Sequence, residues 1–151
     1  MSKILCTICM RGGSKGVPNK NLKKLNGKPL LAYTIEQAKK ANFFEHIVVS
    51  TDSGEIAKLS AYYGAETWYK RPAYLGTDKM SKIPVIKDLH SESEKYYAKI
   101  FDIIIDLDVT SPLRDVDDII NSYHQFKNED ADNLITASPA RRNPYFNMVE
   151  K

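Results

Sequence analysis

Short apolar segments alternate with helical patterns along this chain, and no other feature restricts its possible folds so strongly. Ile4–Cys9 is a nearly continuous apolar run, the pattern of a strand covered on both faces. Leu30, Leu31, Tyr33, Thr34, Ile35, Ala38 and Ala41 then recur at helical spacing, with Pro29 where a first helical turn tolerates it. Ile47–Val49 predicts a second strand, ending at Ser50-Thr51-Asp52. Ser53 is an N-cap residue for a helix with Ile56, Leu59 and Tyr63 on one face and Gly64 as its C-cap. Glu66–Trp68 predicts a short third strand, and residues 70–82, rich in Pro, Gly and Thr, predict a loop. Ser81 suits the cap of a helix with Pro84 near its start and Ile83, Ile86, Leu89 and Tyr96 or Tyr97 on its buried side. Phe101–Leu107 predicts a strand, Val116, Ile119, Ile120, Tyr123 and Phe126 a helix, and Leu134–Ala137 a last strand. Such alternation implies right-handed crossovers and a mainly parallel sheet. Sheets of this kind bind ligands beyond the carboxyl ends of their strands. The loops after Cys9, Val49 and Leu107 are therefore the places to look for chemistry.

The chain of 151 residues suits one domain, 1–151, large enough to bury a core. Its 42% hydrophobic and 27% charged residues exclude fibrous and disordered classes. The longest apolar run, around Ile103–Ile105, is far short of the roughly 20 residues that a membrane span needs. The first ten residues run directly into a basic Gly-rich loop with no small-residue cleavage site, so a strand and a cytoplasmic location are expected there, with no membrane partner. Cys6 and Cys9 form a C-x-x-C, but side chains three apart on a strand point to opposite faces, which predicts separate, reduced thiols. Net charge is a modest +3, yet Arg11, Lys15, Lys20, Lys23, Lys24 and Lys28 crowd one segment. A local cluster of this kind points to a small anionic ligand. Carboxylates elsewhere, and the lack of any recognisable motif, argue against a nucleic-acid partner.

The segment Arg11-Gly12-Gly13-Ser14-Lys15-Gly16-Val17-Pro18-Asn19-Lys20-Asn21 carries the strongest functional signal. Glycines let backbone N–H groups approach phosphate oxygens, while Arg and Lys neutralise the remaining charge. It is not a Walker A loop, because no Gly-Lys-Ser/Thr has the required spacing. Nor is it a dinucleotide fingerprint, since Arg11 stands where the first Gly would be. A solvated basic turn is the plainer alternative.

The same segment resembles the nucleotide-binding signature of the CMP-sialic acid synthetases, or acylneuraminate cytidylyltransferases. Further resemblances follow in order: Val48–Asp52, Gly64-Ala65-Glu66, Arg71-Pro72-Ala73-Tyr74-Leu75-Gly76-Thr77-Asp78, Thr110-Ser111-Pro112-Leu113-Arg114 and Pro144–Val149. Together they cover essentially the whole chain. The resemblance implies a three-layer α/β/α Rossmann-like nucleotide-diphospho-sugar transferase fold with a mainly parallel sheet. It implies transfer of CMP from CTP to a nine-carbon keto-sugar acid, with Mg²⁺ as cofactor, pyrophosphate as leaving group and a homodimeric protein. It also assigns roles. Arg11 and Lys15 would hold the triphosphate and stabilise the departing pyrophosphate, with Gly12, Gly13 and Ser14 around it and Lys20 adding potential. Asn21 would contact base or ribose, Arg71 would help read cytosine, and Ser81 would lie near the nucleotide. Asp108, Thr110, Ser111, Arg141 and Arg142 fall on the sugar side, and Arg114 would face a sugar carboxylate.

Plainer roles stand beside several of these. Arg71 is equally a surface cation before a rigid Pro, Ser81 an N-cap, and Asp52 and Asp78 turn residues rather than metal or ribose ligands. Arg114 has Asp117 and Asp118 at helical spacing. The family pattern Leu-Gln-Pro is replaced here by Leu107-Asp108-Val109, which puts the sugar's identity in doubt. An anion there would repel a sugar carboxylate unless a cation or metal lies between them. Asp106 and Asp108 could jointly approach Mg²⁺ or simply bond to loop backbone. Relative to the family pattern, the C-terminal part is expected to be missing after Lys151, with its dimerising segment and its Mg²⁺-binding aspartates. A non-catalytic nucleotide-binding fragment, or a sugar nucleotidyltransferase of other nucleotide or acid specificity, remain the competing readings.

Overall fold

The computed structural model describes residues 2–129 and 131–137. Arg141, Arg142 and the Pro144–Val149 motif lie outside the described residues. Contacts divide the chain into Met1–Ile119, which holds the whole sheet, and Ile120–Lys151.

Strand β1 (Ile4–Cys9) is the centre of a parallel sheet, with β4 (His46–Ser50) on one side and β5 (Ile103–Asp106) on the other. Cys6 lies opposite Ile47 on one side and Ile105 on the other. Being covered from all directions explains why β1 is apolar throughout: Leu5, Cys6 and Ile8 are fully buried. The expected third strand is present only as isolated parallel bridges, Val48 to Glu66 and Thr51 to Lys70. Its place beyond β4 puts the bridge at Glu66 at the edge, followed across the sheet by β4, β1 and β5.

Two tiny strands, β2 (Lys24–Leu25) and β3 (Lys28–Pro29), form an antiparallel hairpin inside the segment predicted as loop. Its turn residues Asn26 and Gly27 have φ of 49° and 80°, the geometry that an Asn-Gly pair adopts most readily. Helix α1 (Leu30–Ala41) follows as expected, capped by Asn42 in the left-handed conformation. Helix α2 (Gly54–Tyr62) starts where Ser53 accepts a hydrogen bond from the Ile56 N–H. It packs beside α1, as helices of successive crossovers in one direction do. The chain then reverses direction across the sheet through α3 (Lys82–Tyr97), which packs on β1. Right-handed connections place α1 and α2 on one face and α3 on the other. The reversal opens a crevice between the carboxyl ends of β1 and β5.

The core cluster beneath that crevice comprises Leu5, Val48, Tyr69, Leu89 and Phe101, with Trp68 and Tyr97 packed against it. On α3 the buried positions are Val85, Leu89 and Ser93, whereas Ile83 and Tyr96 are each 60% exposed. Of the predicted face, Leu89 is fully buried and Tyr97 packs against the core, but at the crevice end Val85 turns inward and Ile83 does not. Helix α4 (Val116–Asn128) forms where expected and buries Ile119. Leu134–Ala137 is not a strand. Among the described residues it finds no ladder partner, and Ile135 is 82% exposed, so an apolar run alone did not suffice.

Candidate functional site

β1 delivers the chain at Cys9 to the carboxyl edge of the sheet, and Met10 N–H still donates to Ser50 carbonyl at 2.9 Å. Beyond it lies a cavity of about 220 Å³. Its lining includes Arg11, Ser14, Lys20, Asn21 and Arg71 from the first loops, and Asp108 and Thr110 after β5. The sequence-predicted residues from three separate loops therefore converge. Gly12, Gly13, Lys15, Ser81 and Ser111 are not among the lining residues. Of the basic cluster, Lys28 pairs with Glu36 at 2.6 Å, and Lys23 and Lys24 are exposed.

The glycine-rich loop is held by carboxylates. Arg11 and Lys15 both form ion pairs with Asp78, and Gly12 N–H donates to Asp52 Oδ1 at 2.8 Å. The loop passes close to α2 at Gly12: a Cβ there would lie 3.1 Å from the Ser53 Cβ, so a side chain would oblige Ser53 to give by a few tenths of an ångström. Neither Asp52 nor Asp78 serves only its own turn. They occupy donors of this loop, and hydrogen bonding from Lys15, then Arg11, holds the Asp78 carboxyl below its ordinary range. Lys15 reaches Asp78 from a position 81% exposed.

Arg71 is no surface cation; it is 6% exposed. Its Nε donates to Ser50 Oγ at 3.0 Å and its Nη2 to the Ser50 carbonyl at 2.7 Å. Its backbone N–H continues the sheet by donating to the Thr51 carbonyl at 3.0 Å. Among the described residues no carboxylate forms an ion pair with it. A buried guanidinium without a counterion, bordering a cavity, is poised for an electron-rich ligand. Asn21 is buried as well, and its Nδ2 donates to the Arg11 carbonyl at 3.0 Å, which fixes the loop's entry.

Lys82 lines the cavity beside Asp108; next to them Thr7 Oγ1 donates to Asp106 Oδ1 at 2.9 Å, and Lys82 Nζ lies 2.5 Å from Asp106 Oδ2. Lys82 also reaches Asp108 Oδ2 at 3.2 Å. Asp108 Oδ1 accepts from the Thr110 N–H at 2.9 Å and from its hydroxyl at 2.7 Å. Burial opposes ionisation of Asp108, but the Thr110 donors and Lys82 outweigh it and hold the carboxyl at about 2. Burial likewise opposes the charge on Lys82, and Asp106 and Asp108 reverse that effect and raise it above its ordinary value. Cys9 also borders the cavity; burial first, and Asp106 second, push its thiol up to about 12. Cys6 and Cys9 are both free, as their strand spacing predicts.

Lys82 was missed from the sequence, although a signal existed. It sits in the first turn of α3, which carries no acidic residue to complement the positive end of the helix dipole. A cation there needs an anion from elsewhere, and β5 provides it. Ser81 does occupy the N-cap position of α3 in extended conformation, but its side chain makes no capping hydrogen bond. Arg114 pairs with neither Asp117 nor Asp118. Its Nη2 donates to the Asp108 carbonyl at 2.9 Å and its Nη1 to Gln37 Oε1 at 3.3 Å, so it braces the loop after β5 from behind.

Asp106 and Asp108 do not fit a divalent cation: each carboxylate oxygen already has a donor, and an ammonium lies between them. Among the described residues no group of three or more His, Cys, Asp or Glu is arranged to hold a metal ion.

A family model described as Cytidylyltransferase matches residues 5–148. The flagellin modification protein B of Campylobacter coli, described as post-translational, is 55% identical over 150 residues, covering 99% of this chain and 64% of that protein. The CMP-N,N'-diacetyllegionaminic acid synthase of Campylobacter jejuni is 53% identical over 150 residues, with the same 99% and 64% coverage. This chain thus spans 64% of the length of either relative. Among solved structures, a CMP:2-keto-3-deoxy-manno-octonic acid synthetase complexed with CTP superposes with a TM-score of 0.71 at 22% identity, over 86% of this chain and 49% of that one. At that identity the likeness speaks for the fold.

Proposed function

The chain belongs to the cytidylyltransferase family, and from that premise we propose that its cavity binds CTP for transfer of CMP to a nonulosonic, sialic-acid-like sugar. The observation that carries this reading is the buried guanidinium of Arg71, without a carboxylate partner among the described residues, at a cavity shared with Arg11, Lys20 and Asn21. A single anionic or carbonyl-bearing ligand can answer all of these donors at once. Arg11 and Lys15 then exchange Asp78 for the triphosphate, and Arg71 is left one nitrogen for the base or an adjacent oxygen. The sugar's anomeric hydroxyl attacks the α-phosphorus and gives up its proton to solvent, the bond to the bridging oxygen breaks, and pyrophosphate leaves in line with the attack. Charge developing on that pyrophosphate falls to Arg11 and Lys15, while Thr110 and Ser111 lie on the acceptor's side. Lys82, shared with Asp106, offsets part of the Asp108 charge there and weakens its repulsion of an acidic acceptor.

The relative that is 53% identical is named for a diacetyllegionaminic acid, which favours an acceptor of that kind over other nine-carbon acids. Residues 1–151 are read as one nucleotide-binding domain of a cytoplasmic enzyme. No helix among the described residues is long and apolar enough to cross a membrane, which suits that location. Homodimerisation and a Mg²⁺ requirement belong to the same reading, with no metal ligand drawn from Asp106 or Asp108. A non-catalytic nucleotide-binding fragment is the second reading.

Calorimetric titration with CTP, UTP, ATP and GTP tests the assignment. CTP is expected to bind at least about tenfold more tightly than the others, the scale of one well-made hydrogen-bonded contact. Equal affinities would remove cytidine from the function. CTP binding without pyrophosphate release, in the presence of Mg²⁺ and a legionaminic acid, would select the second reading.

A separate outcome concerns Asp78. Asp78→Asn releases both loop cations, so CTP affinity at low salt is expected to rise about three- to tenfold, and the gain should shrink as salt is added. Weaker binding would mean that Asp78 orients the cations and does not compete for them.

A further inference from the structure

We propose that Lys82 is a positioning residue of this cavity, its ammonium filling between Asp106 and Asp108 the place that a divalent cation would otherwise take. The geometry is that of a small cation site. Nζ lies 2.5 Å from Asp106 Oδ2 and 3.2 Å from Asp108 Oδ2, two residues apart at the end of β5. The remaining carboxylate oxygens are turned to protein donors, Thr7 Oγ1 for Asp106 and the Thr110 N–H and hydroxyl for Asp108. Lys82 is half-buried and comes from the start of α3, so the helix N-terminus, the end of β5 and the centre of β1 are tied at one point. Asp106 is 16% exposed, and without the ammonium its charge would stand nearly alone in a poorly solvated wall.

This explains how an aspartate can stand where the family pattern has a glutamine. Asp108 would place a negative charge on the acceptor side of the cavity, opposite to what an acidic sugar tolerates. Lys82 is shared between Asp106 and Asp108 and offsets part of their joint charge, while Thr110 takes the other Asp108 oxygen. Lys82, Asp106 and Asp108 are therefore one functional unit, with the ammonium where a metal would otherwise lie. The inference rests on reading the cavity as the substrate site, but its test contains no nucleotide or sugar, so the two can fail separately.

The test is binding of Mn²⁺ alone to the full chain, followed by the loss of the free-ion paramagnetic resonance signal. Wild type is expected to show no Mn²⁺ binding that depends on Asp108, so wild type and Asp108→Asn should give the same titration. Lys82→Met, which keeps the length of the side chain and removes the charge, should gain Mn²⁺ affinity of about tenfold or more. Lys82→Met combined with Asp108→Asn should lose that gain, and Lys82→Arg should not show it. Mn²⁺ binding by wild type that Asp108→Asn abolishes would overturn the proposal, as would a folded Lys82→Met protein with no gain. Should Lys82→Met fail to fold, the comparison of wild type with Asp108→Asn decides alone. CTP affinity that fails the nucleotide comparison leaves these outcomes intact.

Discussion

Leu5→Ala is expected to remove about 3–4 kcal/mol of stability, enough to leave the sheet close to its unfolding midpoint under ordinary conditions. Leu5 is fully buried in the central strand, with His46 beside it in β4 and Ile104 beside it in β5. Its side chain joins Val48, Tyr69, Leu89 and Phe101 in the cluster that carries both α3 and the third strand position. Truncation removes apolar contact from all of them, and a parallel sheet pinned on both sides cannot collapse into the gap. Urea unfolding should show a lower midpoint with an unchanged slope. A loss below about 1 kcal/mol would mean that the cavity closes and that β1 is not the rigid centre.

Arg71→Met should act in the opposite sense, with a large effect on ligand and a small one on the fold. The guanidinium is buried, yet its partners among the described residues are the Ser50 hydroxyl and carbonyl, and that carbonyl also accepts from Met10 N–H. Methionine fills much of the volume and removes a desolvated charge, so unfolding in urea is expected to shift by no more than about 1 kcal/mol. CTP affinity should fall about 30-fold or more, the value of one charge-assisted contact of about 2 kcal/mol. Arg71→Lys should recover little, because an ammonium cannot donate to Ser50 in two directions and still reach the ligand. A large stability loss with unchanged affinity would make Arg71 a strut for Ser50 and take it out of the binding site.

Most of the fold was legible because its elements announce themselves locally. Ser53 capping α2 and the unbroken apolar run of β1 depend on neighbours in sequence and were read correctly. The hairpin at Asn26-Gly27 was also legible, but the surrounding lysines drew attention to charge and away from turn chemistry. Leu134–Ala137 shows the opposite difficulty: an apolar run becomes a strand only when a partner accepts its hydrogen bonds, and sequence does not supply the partner.

The site divides along the same line. Which loops would meet followed from topology, and Arg11, Asn21, Arg71 and Asp108 do border one cavity. What each charge would meet did not follow, because pairing across the crevice is a tertiary property. Asp78 lies in a loop distant from Arg11 in sequence, and only the fold puts their charges in contact. Arg114 had two aspartates within helical reach and turned instead to a backbone carbonyl and Gln37. Lys82 was the omission that mattered most, since its partners are separated from it by the whole of α3.

The sulfur atom of Cys9, embedded in the cavity wall, bears on how that wall can be used. Asp106 already supplies negative potential there, and a thiolate would add more beside an incoming polyanion. With its proton held to about 12, Cys9 contributes bulk and polarisability but no charge at physiological acidity. Electrophiles that depend on a thiolate therefore gain little purchase at this wall. Reversible ligands, designed around the cationic side of the crevice, are the better way to occupy it.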